Sequence, residues 1–175
     1  MLPPQEGRSA WTSRPNTAQA QRRRRLGVAV HWLGEDVAFL THGECLRHLD
    51  AVERYQQSTG YAVIAYNQCA CRHGFLIEGR GVDRQSGANG DVAVNELYGS
   101  VVALIGTRER LTDAEWARVK NGVYAARNAQ APGGTIKTHN DVRPQPTACP
   151  GPILTQWIHA GTPVPQPPPT PPRRY

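Results

Sequence analysis

The 175-residue chain is poor in several features, and each shortage excludes a class of protein. It contains no run of about 18 apolar residues, which excludes a transmembrane helix and predicts no membrane insertion. Its first twenty residues contain no apolar stretch before a cleavage site, so we expect no secretory signal peptide. Four cysteines are too few to build a disulfide-held fold of this length. The sequence therefore predicts one domain with a modest apolar core.

Lysine is scarce although the chain is basic. Twenty basic residues against fourteen acidic ones give a net charge of +6, and only Lys120 and Lys137 are lysines. This charge favours anionic partners such as nucleic acid, acidic wall polymers and lipid headgroups, without choosing among them. The run Arg22–Arg25 is typical of a solvated arm, and contact with a polyanion is the alternative.

Proline and glycine are unevenly distributed and indicate where the domain ends. Residues 1–25 are rich in Pro, Ser, Gln and Arg and are predicted to form a basic N-terminal arm. Residues 26–160 are predicted to form the folded domain. Residues 161–175 carry seven prolines and are predicted to form a polyproline II tail or linker.

Apolar patterning within the domain predicts an alternation of strands and helices. Strands are predicted at 27–32, 61–68, 75–78, 100–105 and 135–138, and helices at 41–60, 112–128 and 152–160. Capping boxes at Thr41 and Thr112 begin the first two helices, and the first carries a stripe of Leu46, Leu49, Val52 and Tyr55. This order predicts an α/β protein with a mixed central β-sheet flanked by helices.

Three residues with metal-ligand chemistry follow strands or lie in a loop. His31 is at the end of the first strand, His139 follows the strand at 135–138, and Cys149 lies ten residues further on. Two imidazoles and a thiolate are a zinc-binding set that leaves a fourth position for water. Spacing alone nevertheless favours the plainer interpretation of a packed histidine, a loop histidine and a small buried cysteine.

The other cysteines and histidines are interpreted more simply. Cys69 and Cys71 share one face of a strand and are interpreted as two small buried thiols. A bridge between Cys45 and one of them, or a metal site, is the alternative. The remaining histidines are predicted to lie at the surface, and His73, in a turn, is a poor zinc candidate; the four are His42, His48, His73 and His159.

Five segments occur in a familiar order along the chain. They are Val-His-Trp at 30–32, Ala-Tyr-Asn at 65–67, Gly-Phe-Leu-Ile-Glu-Gly-Arg-Gly at 74–81, His-Asn-Asp-Val at 139–142 and Pro-Thr-Ala-Cys-Pro-Gly at 146–151. In this order they resemble the zinc-dependent N-acetylmuramoyl-L-alanine amidases, which share a fold with the peptidoglycan recognition proteins and include many phage endolysins. The resemblance runs from about residue 8 to residue 157.

The resemblance implies a role for individual residues. His31, His139 and Cys149 would be the zinc ligands. Tyr66 and Thr147 would be catalytic, the first near the zinc-bound water and the second as a donor to the developing oxyanion. Five further residues are candidates for binding substrate: Trp32, Glu78, Arg80, Asn89 and Asn95.

Several of these substrate candidates have a plainer interpretation. Trp32 either lines the groove or packs in the core, and a salt bridge to Arg80 or Arg84 is the plainer role for Glu78. Asn95 serves equally well as a loop cap. Asn89 stands where many relatives carry histidine.

The implied reaction is hydrolysis of the amide between N-acetylmuramic acid and L-Ala of bacterial peptidoglycan, with Zn²⁺ as cofactor. The implied role is that of a monomeric, antimicrobial phage endolysin that stays in the host cytoplasm until lysis. A virion-borne lysin, a recycling amidase and a non-catalytic peptidoglycan-binding protein of the same fold are alternatives. Cys149 favours an enzyme, since recognition-only relatives typically lose that ligand. A nucleic-acid-binding protein using Arg22–Arg25 is the remaining alternative, although no recognised motif supports specific nucleic-acid binding.

Overall fold

A computed structural model describes residues 2–107, 110–143 and 145–163. Its centre is one six-stranded sheet in the order β1-β4-β3-β5-β2-β6. Among the strands of this sheet in the described residues, β3 and β4 pair antiparallel and the other neighbours are parallel. The strands are β1 (Gln5–Glu6), β2 (Gly27–Trp32), β3 (Gln68–Cys71), β4 (Leu76–Glu78), β5 (Tyr98–Leu104) and β6 (Thr135–Thr138).

Helices lie on both sides of this sheet and confirm the predicted fold class. They are α1 (His42–Ser58), α2 (Val92–Leu97), α3 (Asp113–Gln130), α4 (His139–Val142) and α5 (Pro152–His159), with a short 3-10 helix at Arg8–Ala10. Both predicted capping boxes form: the Thr41 and Thr112 hydroxyls accept from the third helical backbone N–H, and the glutamates there accept from the capping N–H. These boxes fix where the two long helices begin.

The sheet separates two apolar clusters because side chains alternate along each strand. Val28 and Val30 of β2 face α3 and α5. The opposite face packs against α1 and includes Val102 and Leu104 of β5. His31 pairs in register with Val102 and therefore lies on the α1 side. The imidazole of His31 therefore lies at the end of β2, beside the apolar cluster that packs against α1.

The predicted strand at 61–68 is wrong except for its last residue, since β3 begins at Gln68. Backbone N–H groups in this segment donate to side chains instead of to a neighbouring strand. Ile64 donates to Glu53, Ala65 to Gln56 and Asn67 to Ser100. Periodicity detects the buried apolar residues here, but the side-chain acceptors come from other elements.

The segment predicted as an arm packs onto the domain. Trp11 is buried and its indole N–H donates 2.9 Å to the carbonyl of Glu78. Arg25, which belongs to the arginine run predicted to be solvated, is also buried, and its guanidinium donates to the carbonyls of Val82 and Arg84. Ordered structure therefore starts well before residue 26, where we expected it to begin.

Two further predictions concern the ends of the chain and the membrane. Most of the predicted tail, residues 164–175, lies outside the described residues. Within the described part of the chain, no helix combines the length and the apolar character needed to cross a bilayer.

Candidate metal centre

Parallel pairing of β2 with β6 brings two histidines to one edge of the sheet. Val30 lies opposite Thr138, so His31 and His139 follow these residues at the same end. Thr138 caps α4 through a capping box with Asp141, which makes His139 the first helical residue and not the strand end that the sequence predicts. The following loop returns Cys149 to the same place.

The three predicted ligands meet within a small space. The ring centroids of His31 and His139 are 4.2 Å apart, and Cys149 Sγ lies 3.7 Å from His31 Nδ1. One ligand atom from each of the three residues lies within 4.8 Å of the others. Imidazole nitrogen and thiolate sulfur are the donors that zinc prefers, and three of them leave one coordination position open.

An amide outside the triad sets the orientation of His31. His31 Nε2 lies 3.0 Å from Asn89 Oδ1, while the Asn89 amide nitrogen donates 2.8 Å to the carbonyl of Tyr98. The second bond identifies which Asn89 atom is the oxygen, so His31 Nε2 must carry the proton. The unprotonated Nδ1 therefore faces Cys149, as metal ligation requires.

The protonation of the two histidines also suits a metal. Burial lowers the pKa of His31 to about 3, with a further contribution from His139. Burial, followed by the charge of Arg143, lowers the pKa of His139 to about 4. Both rings are therefore neutral at pH 7. The Nε2 atom of His139 is buried and has no hydrogen-bond partner among the described residues, which fits an atom reserved for a metal ion.

Cys149 needs a cation to become a thiolate. Burial raises its pKa to about 11, although a backbone hydrogen bond from Trp32 and the charge of Arg143 act in the opposite direction. A bound metal ion would displace the thiol proton. Thr147 holds this loop, since its hydroxyl accepts 3.2 Å from the Cys149 N–H and its own N–H donates 2.8 Å to Asn140 Oδ1.

Tyr66 connects the triad to a groove along α1. Its ring centroid is 5.3 Å from that of His31, and burial raises the pKa of its phenol, so the hydroxyl keeps its proton. The groove has a volume of about 410 Å³. Its walls mix apolar and polar side chains: Leu33, Glu35, His48, Ala51, Val52, Tyr55, Gln56 and Tyr66.

The α1 wall of this groove was not predicted. The stripe that ends at Tyr55 predicts a single buried face, yet Tyr55 is 70% exposed. Each three-residue step along the stripe falls about 60° short of a full helical turn. After three steps, Tyr55 therefore lies about half a turn around the helix from Leu46. The stripe therefore passes from the core at Leu49 to the groove at Tyr55. Counting this rotation is the signal that would have identified the groove.

Trp32 lies on the other face of the sheet from His31. Its ring lines a smaller cavity of about 160 Å³ together with Ile105, Trp116 and Ile153. Gly151 has a φ of +85°, and a Cβ at this position would lie 2.9 Å from the indole ring. Glycine is therefore required where the loop that carries Cys149 crosses Trp32.

The other four substrate candidates make hydrogen bonds within the protein. Glu78 is on β4, three strand spacings or on the order of 14 Å from β2, and accepts from the Arg8 N–H. The buried Arg80 guanidinium donates to the carbonyls of Val63, Ile64 and Gln85. Asn95 Oδ1 accepts from the Asn89 N–H, which is the loop-capping role. Asn89 itself is fully buried behind His31.

Solved structures share this architecture over nearly their whole length. Drosophila PGRP-SD superposes with a TM-score of 0.74 at 18% identity, covering 91% of this chain and 94% of that one. Human PGRP-IβC, solved with a glycosamyl muramyl pentapeptide, gives 0.72 at 18% identity, covering 90% and 95%. Wild-type Drosophila PGRP-LB gives 0.71 at 20% identity, covering 89% and 92%.

The fold is that of the peptidoglycan recognition proteins. No protein-family model matches the chain, and no curated protein does. The sequence similarity to the peptidoglycan recognition proteins is low, so the likeness concerns the course of the backbone. The chemistry of this chain is therefore set by the side chains at the end of β2.

Proposed function

We propose that the chain is a zinc-dependent N-acetylmuramoyl-L-alanine amidase that cleaves the amide between N-acetylmuramic acid and L-Ala of peptidoglycan. The observation that carries the proposal is the meeting of His31, His139 and Cys149 beside the α1 groove. A set of three protein ligands with one open position is typical of catalytic zinc, whereas structural zinc is closed by four.

The substrate class is inferred from the fold and the groove. A Drosophila PGRP-LB variant has been solved with tracheal cytotoxin, and human PGRP-IβC with a muramyl pentapeptide. The groove of this chain offers apolar walls together with the polar side chains of Glu35, His48 and Gln56, which suits a short peptide with polar backbone groups. A net charge of +6 favours association with acidic cell walls.

The chemistry requires an activated water and a stabilised oxyanion. A zinc ion held by His31, His139 and Cys149 would lower the pKa of a bound water and polarise the amide carbonyl. The protonated Tyr66 hydroxyl would donate to that water or to the developing oxyanion. The Thr147 hydroxyl, which already accepts from the Cys149 N–H, keeps its own proton available for the same oxyanion.

We further propose that this amidase acts as a phage endolysin, a monomer held in the host cytoplasm until lysis. The support is the order of the five sequence segments, which resembles that of the amidase group containing many endolysins. The basic charge is consistent with this role.

The second candidate function is peptidoglycan binding without hydrolysis. The fold supports it, because peptidoglycan recognition proteins include both amidases and non-catalytic binders. The two candidates differ in one consequence, since only an amidase needs the sulfur of Cys149.

The test measures stem-peptide release from purified peptidoglycan by wild type, Cys149→Ala and Cys69→Ala. Cys69 is the control, because it is also a free thiol, more deeply buried than Cys149, but lies outside the ligand groups among the described residues. We expect wild type and Cys69→Ala to release peptides with new N-terminal L-Ala. Cys149→Ala should sediment with peptidoglycan, release nothing and contain about one zinc equivalent less than wild type.

Equal release by Cys149→Ala would refute the ligand assignment. Sedimentation of wild type with peptidoglycan, without any release in excess zinc, would favour the non-catalytic binder.

A further inference from the structure

A second group of metal-binding side chains lies where α1 begins and the β3–β4 hairpin turns. It consists of His42, Cys45, Cys71 and His73, each of which places one ligand atom within 4.8 Å of the others. Both sulfurs are buried, and both rings are half-buried. The group shares no residue with the candidate metal centre and lies at the other end of α1 from the groove residue Tyr55.

Local structure on each side presents two of the donors together. His42 is the first residue of α1 and Cys45 follows three residues later, so both occupy one face of the first turn. Cys71 ends β3, and the next residues turn back so that the Gly74 N–H donates 2.9 Å to its carbonyl. Gly74 has a φ of +96°, which favours glycine at this turn. The turn brings His73 alongside Cys71.

The separations between donors approximate those around a tetrahedral zinc ion. The Cys45 and Cys71 sulfurs are 3.2 Å apart, and His73 Nδ1 lies 3.0 Å and 3.7 Å from Cys71 Sγ and Cys45 Sγ. His42 Nδ1 lies 3.6 Å from Cys71 Sγ. Zinc bonds of about 2.3 Å to sulfur and about 2.0 Å to nitrogen give tetrahedral edges of about 3.3–3.8 Å.

Oxygen acceptors hold both rings with Nδ1 towards the sulfurs. His42 Nε2 is 2.8 Å from a carboxylate oxygen of Glu6, and its ring stacks on Phe75 with centroids 3.9 Å apart. His73 Nε2 is 3.3 Å from the carbonyl of Leu40. An acceptor behind the non-ligating nitrogen is the usual outer partner of a zinc-bound histidine.

We propose that His42, Cys45, Cys71 and His73 bind a structural zinc ion that ties the start of α1 to the β3–β4 hairpin. Four protein donors complete a tetrahedron and leave no position for water or substrate, so this site holds structure and performs no chemistry. A Cys45–Cys71 disulfide would use both sulfurs but would leave two oriented imidazoles without a role. The two histidines that the sequence predicts as surface residues are what distinguish a metal site from a thiol pair.

The decisive measurement uses the Cys149→Ala protein, which leaves this group intact and removes a ligand of the candidate metal centre. We expect about one zinc equivalent to remain per chain, with X-ray absorption showing two sulfur and two nitrogen or oxygen neighbours. A folded Cys149→Ala protein without zinc, or with zinc that has no sulfur neighbours, would overturn the proposal. So would an intact mass that shows a Cys45–Cys71 disulfide in place of two thiols.

A second comparison uses Cys71→Ala and Cys69→Ala, which remove buried sulfurs two residues apart on the same face of β3. We expect only Cys71→Ala to lose about one zinc equivalent and to melt at a clearly lower temperature than Cys69→Ala. Equal zinc contents in the two variants would contradict the site. The proposal is independent of the proposed amidase activity, since a wild-type protein without activity could still hold this zinc.

Discussion

At the scale of single residues, metal binding by His31, His42 and His73 depends on which ring nitrogen carries the proton. For His31 the choice is made by Asn89, whose amide oxygen accepts from Nε2 and whose amide nitrogen is itself fixed by the Tyr98 carbonyl. For His42 and His73 it is made by Glu6 and by a backbone carbonyl. In each case a neutral or anionic oxygen selects Nδ1 as the metal-facing atom.

The amide of Asn89 provides a prediction at this scale. Asn89→Ala should weaken zinc binding at the candidate metal centre by about 10–100-fold, because His31 loses the acceptor that fixes its tautomer and orientation. Asn89→Asp keeps the acceptor for His31 but loses the donor to the Tyr98 carbonyl, so its affinity should lie between those of wild type and Asn89→Ala. Chelator competition measures both, with Asn128→Ala on the exposed face of α3 as the control. Unchanged affinity in Asn89→Ala would show that His31 needs no such partner.

The sequence predicts ligand identity better than it predicts the partners of the ligands. The order of five segments singled out His31, His139 and Cys149, which the fold brings together. The resemblance implied a substrate-binding role for Asn89, which stands where many relatives carry histidine. Its contact with His31 could not be predicted, because nothing local indicates a contact between residues 58 positions apart. For the second group a metal site was only an alternative interpretation of the cysteines, and His42 and His73 were predicted at the surface, because the group joins the start of a helix to a hairpin turn.

At the scale of elements, a buried carboxylate on α1 fixes the N-terminal segment to the domain. Glu53 is fully buried and accepts from Arg8 at 2.9 Å and 3.1 Å, from Arg14 at 2.9 Å and from the Ile64 N–H at 3.0 Å. One side chain therefore connects α1, the segment before β2 and the irregular segment before β3. Such a carboxylate is costly to remove because its partners remain buried.

Removal of this carboxylate should be strongly destabilising. Glu53→Ala leaves the Arg8 guanidinium buried without its anion, so the free energy of unfolding should fall by about 3–5 kcal/mol. Glu96→Ala breaks the pair with Arg23, whose side chain is 70% exposed, and should cost no more than about 1 kcal/mol. Urea denaturation of both variants tests this difference. Similar losses would show that the Glu53 network contributes no more than a surface pair.

Elements were predictable where the signal is local. The capping boxes at Thr41 and Thr112 were confirmed because every atom of the motif lies within four residues. The predicted strand at 61–68 was wrong because backbone N–H groups in this segment donate to side chains of other elements. These acceptors are Glu53, Gln56 and Ser100. The prediction of an arm before residue 26 was wrong, because the polar composition of that segment gives no sign that Arg8 and Arg25 are buried.

At the scale of the whole molecule, the same network makes stability depend on pH. Burial alone would raise the pKa of Glu53, but the hydrogen bonds from Arg8, Ile64 and Arg14 lower it overall below 4.5. A carboxylate whose pKa is lowered by folding stabilises the protein above its unfolded pKa. That contribution disappears as the pH falls through the lower, folded value.

The corresponding prediction compares wild type with Glu53→Gln. The difference in their free energies of unfolding should be constant above about pH 6 and should shrink as the pH falls below about 4.5. Other titrating groups, including the buried histidines, are present in both proteins and largely cancel in the difference. Urea denaturation at fixed zinc concentration between about pH 3.5 and about pH 8 gives the difference curve. A difference independent of pH would contradict the role of the ionised Glu53.

The fold class could be predicted from the sequence, but the order of the strands in the sheet could not. Alternating strands and helices predicted a mixed sheet between helices, and this was confirmed. The order β1-β4-β3-β5-β2-β6 depends on which strands neighbour each other in space, and the apolar patterns of β2, β5 and β3 are too similar to decide it. Only the neighbouring positions of β2 and β6 explain why His31 and His139 meet.

The most direct test of the account is a crystallographic anomalous difference map measured at the zinc absorption edge. We predict a strong peak bounded by His31, His139 and Cys149, with one coordination position open towards the α1 groove. A map from zinc-saturated crystals without a peak at this position, or with a peak closed by a fourth protein ligand, would contradict the proposed hydrolytic centre.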